Sequence, residues 1–253
     1  MDVLCRINFL SALVFVLSLF LTACGGGGGG SNNPPPDTNV NYLVEVTSTT
    51  PQFALPSTGS SSIEKTDTAV AKMGSKSIGS VAEPLPYYLV YQYLFNTWKL
   101  LKLPLVLNAT WKEPDNGQSS GWNISSVVTS LSDSVTAGGV VYNNCAKITT
   151  TFSGDGIISG FHLTDVEKGF FRGTRDVWYA PGVGVVLLQY HHENGDTTTA
   201  ELQSYSLAEP STDYFPLAVG DTWTYQWINE YRTDYVTDVY TVDRTCVGPC
   251  QIP

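Results

Sequence analysis

The groups in this sequence able to do covalent, redox or metal chemistry are five cysteines, three histidines and scattered carboxylates. Cys24 has the most particular surroundings. It follows an apolar run from Phe9 to Leu21, broken only by Ser11 and Ser18, and precedes six glycines and the Pro34-Pro35-Pro36 run. At the far end, Cys246-Val-Gly-Pro-Cys250 holds a Gly-Pro able to turn the chain and bring its two cysteines together. A Cys246–Cys250 disulfide and a bridge from Cys145 to either one are equally open, and each leaves one thiol over. No histidine follows this pair and no second cysteine pair exists, so a zinc site has too few ligands. His191-His192-Glu193 offers metal-binding groups, but adjacent strand residues point to opposite faces, so they read as solvated turn residues. His162, beside Asp165, reads as a partly buried histidine.

Two readings depend on known patterns. Leu21-Thr22-Ala23-Cys24 resembles the lipobox of bacterial lipoproteins, where small residues precede the cysteine to be lipidated. The resemblance implies that residues 1–23 are an export signal. Arg6 and the free amine give the start a weak positive charge that Asp2 offsets, and the apolar run is too short to span a membrane comfortably. It further implies that Cys24 is diacylated, becomes the mature N-terminus and is then N-acylated. Gly25, with no acidic residue beside the cysteine, is compatible with transfer to the outer membrane. Ser62-Ile63-Glu64-Lys65 matches the S-x-x-K of penicillin-recognising enzymes, but it lacks the SDN and KTG partners of that chemistry. There is no G-x-S-x-G, no HExxH and no EF-hand loop.

The lipid reading explains the glycines and prolines. One acyl chain holds weakly and two or three hold stably, at about 0.8 kcal/mol per buried methylene. An anchored protein needs slack between bilayer and fold. Residues 25–30 supply a flexible coil and the prolines a stiffer spacer. Residues 24–40, if wholly flexible, reach about 20–25 Å.

These groups must be positioned by a β fold. Charged residues make up only 14% of the chain, while tyrosine, tryptophan and threonine are plentiful, a composition that favours strands over helices. The net charge of −10 argues against nucleic acid, which needs Lys and Arg to displace phosphate counterions, and against lying flat on anionic lipid. The domain reading is an export signal over 1–23, a weakly ordered Gly/Pro/Ser-rich linker over 24–84, an antiparallel β domain over 85–210 and a partial repeat over 211–253. Within the linker, Tyr42 to Val46 reads as one strand. Strands are expected at 87–95, 138–152, 169–180 and 183–192. Asn194-Gly195 predicts a type I′ hairpin turn, and Glu113 to Gln118 another turn. Ala180-Pro181-Gly182-Val183 predicts a type II turn. Thr164 and Glu167 suggest a capping box and one short helix.

"LPLVLNATW" (103–111) and "FPLAVGDTW" (215–223) align without gaps, 112 residues apart. The mismatch of Asn108 with Gly220 pairs two residues that accept a left-handed backbone, so both copies are expected to share one turn. Either the second copy's strands add to the first unit's sheet, or the chain is a fragment of a longer protein. With "DSVTAGGVVYNNCAKI" (133–148) and "WYAPGVGVVLLQY" (178–190), the chain is similar to an uncharacterised β-rich domain of bacterial lipoproteins. That family's units carry a Phe-Pro-Leu…Gly-x-x-Trp start, a Val-x-x-Ala-Gly…Cys strand and a Tyr-Ala-x-Gly-Val-Gly-x-Val segment. The resemblance covers residues 103–207 and recurs at 214–227; it departs at Gly139, where the pattern has Thr. It implies an all-β curved antiparallel sheet, half-barrel or sandwich-like, as in lipoprotein carriers, and brings no catalytic residues.

The functional expectation is a non-enzymatic, lipid-anchored cell-envelope protein of the outer membrane, needing no cofactor and no metal. It would bind a hydrophobic ligand or a partner protein on a concave face lined by Trp98, Trp111, Trp122 and Trp178. The alternatives are a structural or surface-exposed repeat module without a small-molecule ligand, and a glycan hydrolase using a carboxylate pair such as Asp155 and Asp165.

Overall fold

A computed structural model describes residues 39–49, 57–67, 69–78, 99–113, 121–154, 157–158, 161–162, 168–169, 172–229, 236–247 and 250–251. The expected strand at 87–95, the turn at 113–118, Trp98, Asp155 and Asp165 lie wholly or almost wholly outside them. So does the capping box, of which only Lys168 and Gly169 are described.

Fourteen strands account for most of the described chain. In order they are β1 (Val40–Thr49), β2 (Ser57–Lys65), β3 (Ala69–Ile78), β4 (Lys99–Lys102), β5 (Thr110–Glu113), β6 (Trp122–Ala137), β7 (Val140–Gly154), β8 (Ile157–Ile158), β9 (Phe161–His162), β10 (Gly173–Ala180), β11 (Gly184–His192), β12 (Thr197–Ser206), β13 (Thr222–Asn229) and β14 (Val236–Cys246). Twelve form one antiparallel sheet in the order β4-β3-β2-β1-β14-β13-β12-β11-β10-β7-β6-β5, and β8–β9 is a separate hairpin between β7 and β10. The fold is all-β. The curved antiparallel sheet forms a nearly closed barrel.

The strand order is a simple meander except where β1 pairs with β14, from Asn41↔Cys246 to Thr49↔Thr237. That pairing joins the start of the described chain to its end. The two free edges, β4 and β5, are then consecutive in sequence, and the Lys102 Nζ donates to the Thr110 carbonyl at 3.5 Å across them. Short edges brought together leave little unpaired backbone for another chain to join.

The strands at 57–65 and 69–78 correct the linker reading. Their composition of Ser, Gly, Ala and Lys suits a linker, but backbone pairing does not depend on side-chain type. A few inward anchors, Ile63 and Val70, are fully buried with Leu101 behind them. On the outward side Leu43 is buried too, beside the chain end, where the Cys250 amide donates to Ser62 Oγ at 3.3 Å. Cys246 and Cys250 form a disulfide that fixes this end, and Cys145 is the free thiol.

The register divides the side chains cleanly. Trp111, Ser126, Thr150, Arg175, Tyr190 and Thr198 fall in one row across β5 to β12, and all are buried. The adjoining inward row runs Val128, Ile148, Val177, Leu188, Ala200 and Trp227, likewise buried. The outward rows carry Thr149, Thr151, Asp176, Gln189, Thr199, Glu201 and Gln226. That is the chemistry of a wall facing water, the reverse of a barrel whose outside meets lipid.

The local turns follow from their residues. Gly182 has φ 72° and the Val183 amide donates to Ala180 O at 3.1 Å, as a type II turn requires. Gly138 and Gly139 have φ 55° and 78° between the paired residues Ala137 and Val140, a type I′ signature at the tip of β6–β7. The Asn194-Gly195 turn differs from expectation. Only Gly195 is left-handed, at φ 95°, the Gly195 amide donates to His192 O at 3.0 Å, and the His192 amide donates to Asp196 O at 2.9 Å. This is a three-residue loop, a type I turn closed by a left-handed glycine. Asn194 is held out of the left-handed region because its Oδ1 accepts from the Asp196 amide at 3.0 Å.

Candidate functional site

The two Pro-Leu copies fold alike. Asn108 (φ 64°) and Gly220 (φ 95°) are both left-handed. Asn108 N donates to Val128 O, Ala109 N to Val106 O and Val128 N to Ala109 O; Gly220 N donates to Val242 O, Asp221 N to Ala218 O and Val242 N to Asp221 O. In each copy one of these bonds closes the turn and the other two link it to the strand after next in the sequence. Each copy therefore opens a run of six neighbouring strands, β5-β6-β7-β10-β11-β12 and β13-β14-β1-β2-β3-β4. The second copy's strands join the first unit's sheet, and the strands that complete its run lie at the start of the chain.

One difference between the two turns places a carboxylate in the second. Ala109 in the first copy faces Asp221 in the second. Asp221 is buried, and its carboxylate accepts from Ala208 N at 2.7 Å and Ala218 N at 2.8 Å. These bonds hold residues 207–221 over the barrel end, where Phe215 and Leu217 enter the core and Phe215 packs on Tyr179 with ring centres 6.1 Å apart. Trp223 Nε1 donates to Val183 O at 2.7 Å and the Tyr225 hydroxyl to Val185 O at 2.7 Å, tying β13 to the entry of β11.

Behind this plug lies a cavity lined by Val44, Val185, Leu217, Trp223 and Tyr240, among others. It offers about 10 Å³ to the centre of a water-sized sphere, room for about one water. Aromatic side chains pack among the aliphatic ones in the interior around it. Burial pushes the phenol of Tyr179 up to about 12, against the opposing charge of Arg175, and drives Tyr225 and Tyr240 well above their usual range. These phenols are neutral hydrogen-bond donors at any physiological pH. Arg175 and Asp238 are buried in the same interior; the guanidinium lies 5.1 Å over the Phe152 ring, and Asp238 Oδ2 accepts from the Tyr240 hydroxyl at 3.3 Å.

The proposed tryptophan face is not assembled as read. Trp111 points inward and is buried, whereas Trp178 stands on the outward row, paired with Lys147 and Leu187. Alternation along the strands puts the two on opposite sides of the sheet. Trp178 is covered: its Nε1 donates to Asp133 Oδ2 at 2.9 Å and Lys147 Nζ sits 4.8 Å over its ring. Lys147 in turn pairs with Asp176 at 2.9 Å. Trp122 belongs to β6, and its side chain, like Trp98, is outside the description.

The other sequence candidates separate as well. Adjacent His191 and His192 do take opposite faces, but only His191 is solvated. His192 is buried, with Nε2 2.7 Å from Thr198 Oγ1 and its ring centre 4.2 Å from that of Tyr190. Ser62 lies on the outward side and Lys65, three residues on, on the other, where it pairs with Asp213 at 2.7 Å. The S-x-x-K chemistry has no geometry here. Among the described residues no three His, Cys, Asp or Glu side chains gather as a metal site, and no helix is long and apolar enough to cross a membrane.

No family model, no curated protein and no solved structure matches this chain.

What sequence reasoning missed is the character of one barrel end. The pairings Thr222↔Ser206, Asn41↔Cys246 and Ala180↔Gly184 place the starts of β13, β1 and β11 at the same end, with the start of β5. Of the eight large apolar side chains exposed among the described residues, seven sit there: Val106, Leu107, Val140, Val141, Tyr205, Val219 and Val247. The repeat contained the signal, because Leu107 and Val219 are equivalent positions. Leu107 follows Val106 and Val219 follows Ala218, and each is about half exposed, at 49% and 50%.

Proposed function

We propose that this is a lipid-anchored, non-enzymatic protein of the bacterial cell envelope, held by Cys24 at the outer membrane, that works by binding a partner protein through its surface. The observation that carries the surface reading is the packing behind residues 207–221. A carrier of acyl chains needs a cavity of about 300 Å³ or more, and the cavity at that barrel end leaves room for about one water. The water-facing wall favours recognition through the surface. The Leu-Thr-Ala-Cys sequence and the glycine leash that follows it support the anchor.

Two measurements test this reading together. Metabolic labelling with an alkyne fatty acid should mark the wild type and fail to mark Cys24→Ala; equal labelling of both contradicts the anchor. Organic extracts of the purified Cys24→Ala protein should contain no bound lipid by mass spectrometry. A stoichiometric lipid would restore the carrier reading in its place.

A further inference from the structure

We infer that the barrel end carrying Leu107, Val141 and Val219 rests against the lipid bilayer, so that the protein stands end-on at its membrane. The inference rests on the Cys24 anchor proposed above. Four separate segments supply the apolar side chains: the β4–β5 loop, the β6–β7 tip, the β12–β13 loop and the chain after β14. The tip reaches across to β12, where Gly138 lies so close to the Leu202 carbonyl oxygen that a Cβ there would stand 2.3 Å from it. These residues are spread over separate segments of the chain. A fluid interface accepts scattered apolar protrusions, whereas a folded partner must match their shape.

The position of the leash selects the membrane as occupant. β1 begins at Val40 at this same end, since Val40 pairs with Lys65 and Asn41 with Cys246. Residues 24–40, if wholly flexible, reach about 20–25 Å. The ten residues of β1 run about 33 Å. The end where β1 starts is therefore the end joined to Cys24 by the fewest residues, and the opposite end is a strand's length further along the chain. The net charge of −10 removes attraction to anionic headgroups as the cause. Contact by apolar insertion is then insensitive to salt.

The test uses the full-length lipidated protein, reconstituted in vesicles of phosphatidylethanolamine and phosphatidylcholine. Single variants Leu107→Cys, Val141→Cys, Val219→Cys and Ile228→Cys each carry a nitrobenzoxadiazole label. Cys145 is buried and Cys246 is bonded to Cys250, so neither competes for it. All four positions are exposed, and equal thermal unfolding of the labelled proteins confirms that they fold alike. The first three labels are expected to shift to the blue and to be quenched at least three-fold more by doxyl lipids than Ile228, unchanged between 0.05 and 0.5 M salt. Ile228, on β13 away from this end, is expected to stay in water. Labels that all remain in water on vesicles carrying alkyne-labelled protein overturn the docking while leaving the anchor intact. Absence of acylation in the wild type overturns both. Burial of the three labels that rises with protein concentration without vesicles overturns it in favour of contact between copies.

Discussion

Replacing Asp221 by Ala removes the carboxylate that distinguishes the second copy of the Pro-Leu turn from the first. Ala is the residue the first copy carries at the same place, Ala109, with the same turn hydrogen bonds, so the backbone accepts it. What is lost is the carboxylate that accepts from Ala208 N at 2.7 Å and Ala218 N at 2.8 Å, in a side chain that is 1% exposed. Each buried donor left without a partner costs about 1–3 kcal/mol. Two such donors give a destabilisation of about 2–6 kcal/mol, reduced where water reaches them. With a urea dependence of about 2–3 kcal/mol per molar for a domain of this size, the midpoint should fall by about 1 M or more. Asp221→Asn keeps one acceptor but turns its amide toward the second donor, so it should fall between wild type and Ala. Equilibrium urea unfolding of the Cys24→Ala chain, followed by tryptophan fluorescence, reads all three. A midpoint shift of less than about 0.2 M for Asp221→Ala would refute the assignment of this carboxylate as the clasp on residues 207–221.

Other expectations follow from single contacts. Cys145 is buried, and burial first, then the charge of Asp133, pushes its thiol up to about 11; Ellman's reagent at pH 8 should leave it untouched until the protein is unfolded. The hydrogen bond with Ser130, then that from Trp178, and the charge of Lys147 hold Asp133 below the usual carboxylate range against a smaller desolvation effect. A depressed carboxyl stabilises above its unfolded value and loses that contribution as pH falls through its folded value. The stability gap between wild type and Asp133→Asn should therefore be constant from pH 5 to 8 and close below about pH 4. Trp223→Phe removes the bond to Val183 O and leaves that buried carbonyl short, costing about 1–3 kcal/mol, whereas Trp227 Nε1 is buried with no acceptor, so Trp227→Phe should cost less than half as much. Urea midpoints of the two variants decide it.

The fold class was legible because strand residues and turn residues agree along residues 99–229. Pro181-Gly182 and the Asn108/Gly220 exchange each name a backbone conformation, and the structure has those conformations. β2 and β3 were not legible, because STGSSSIEK and AVAKMGSKSI pair by backbone between better strands and contribute few anchors. Closure between β1 and β14 was hidden for a related reason. Pairing between the two ends of a chain leaves no local mark, and the early end of the repeat became intelligible only once β1 was seen beside β14. The tryptophans failed as a site because composition counts aromatic rings without saying which face they take. Trp111 shares a row with Arg175, and Trp178 stands three residues on along β10, so alternation puts the two on opposite faces. The apolar end, by contrast, was written in the repeat as Leu107 and Val219, but exposure is a property of the assembled barrel.

The most direct measurement is the intact mass of the protein purified from membranes. The account predicts a chain beginning at Cys24 and carrying a diacylglyceryl group and an amide-linked acyl chain. A mass matching the unmodified polypeptide with residues 1–23 still attached would contradict it.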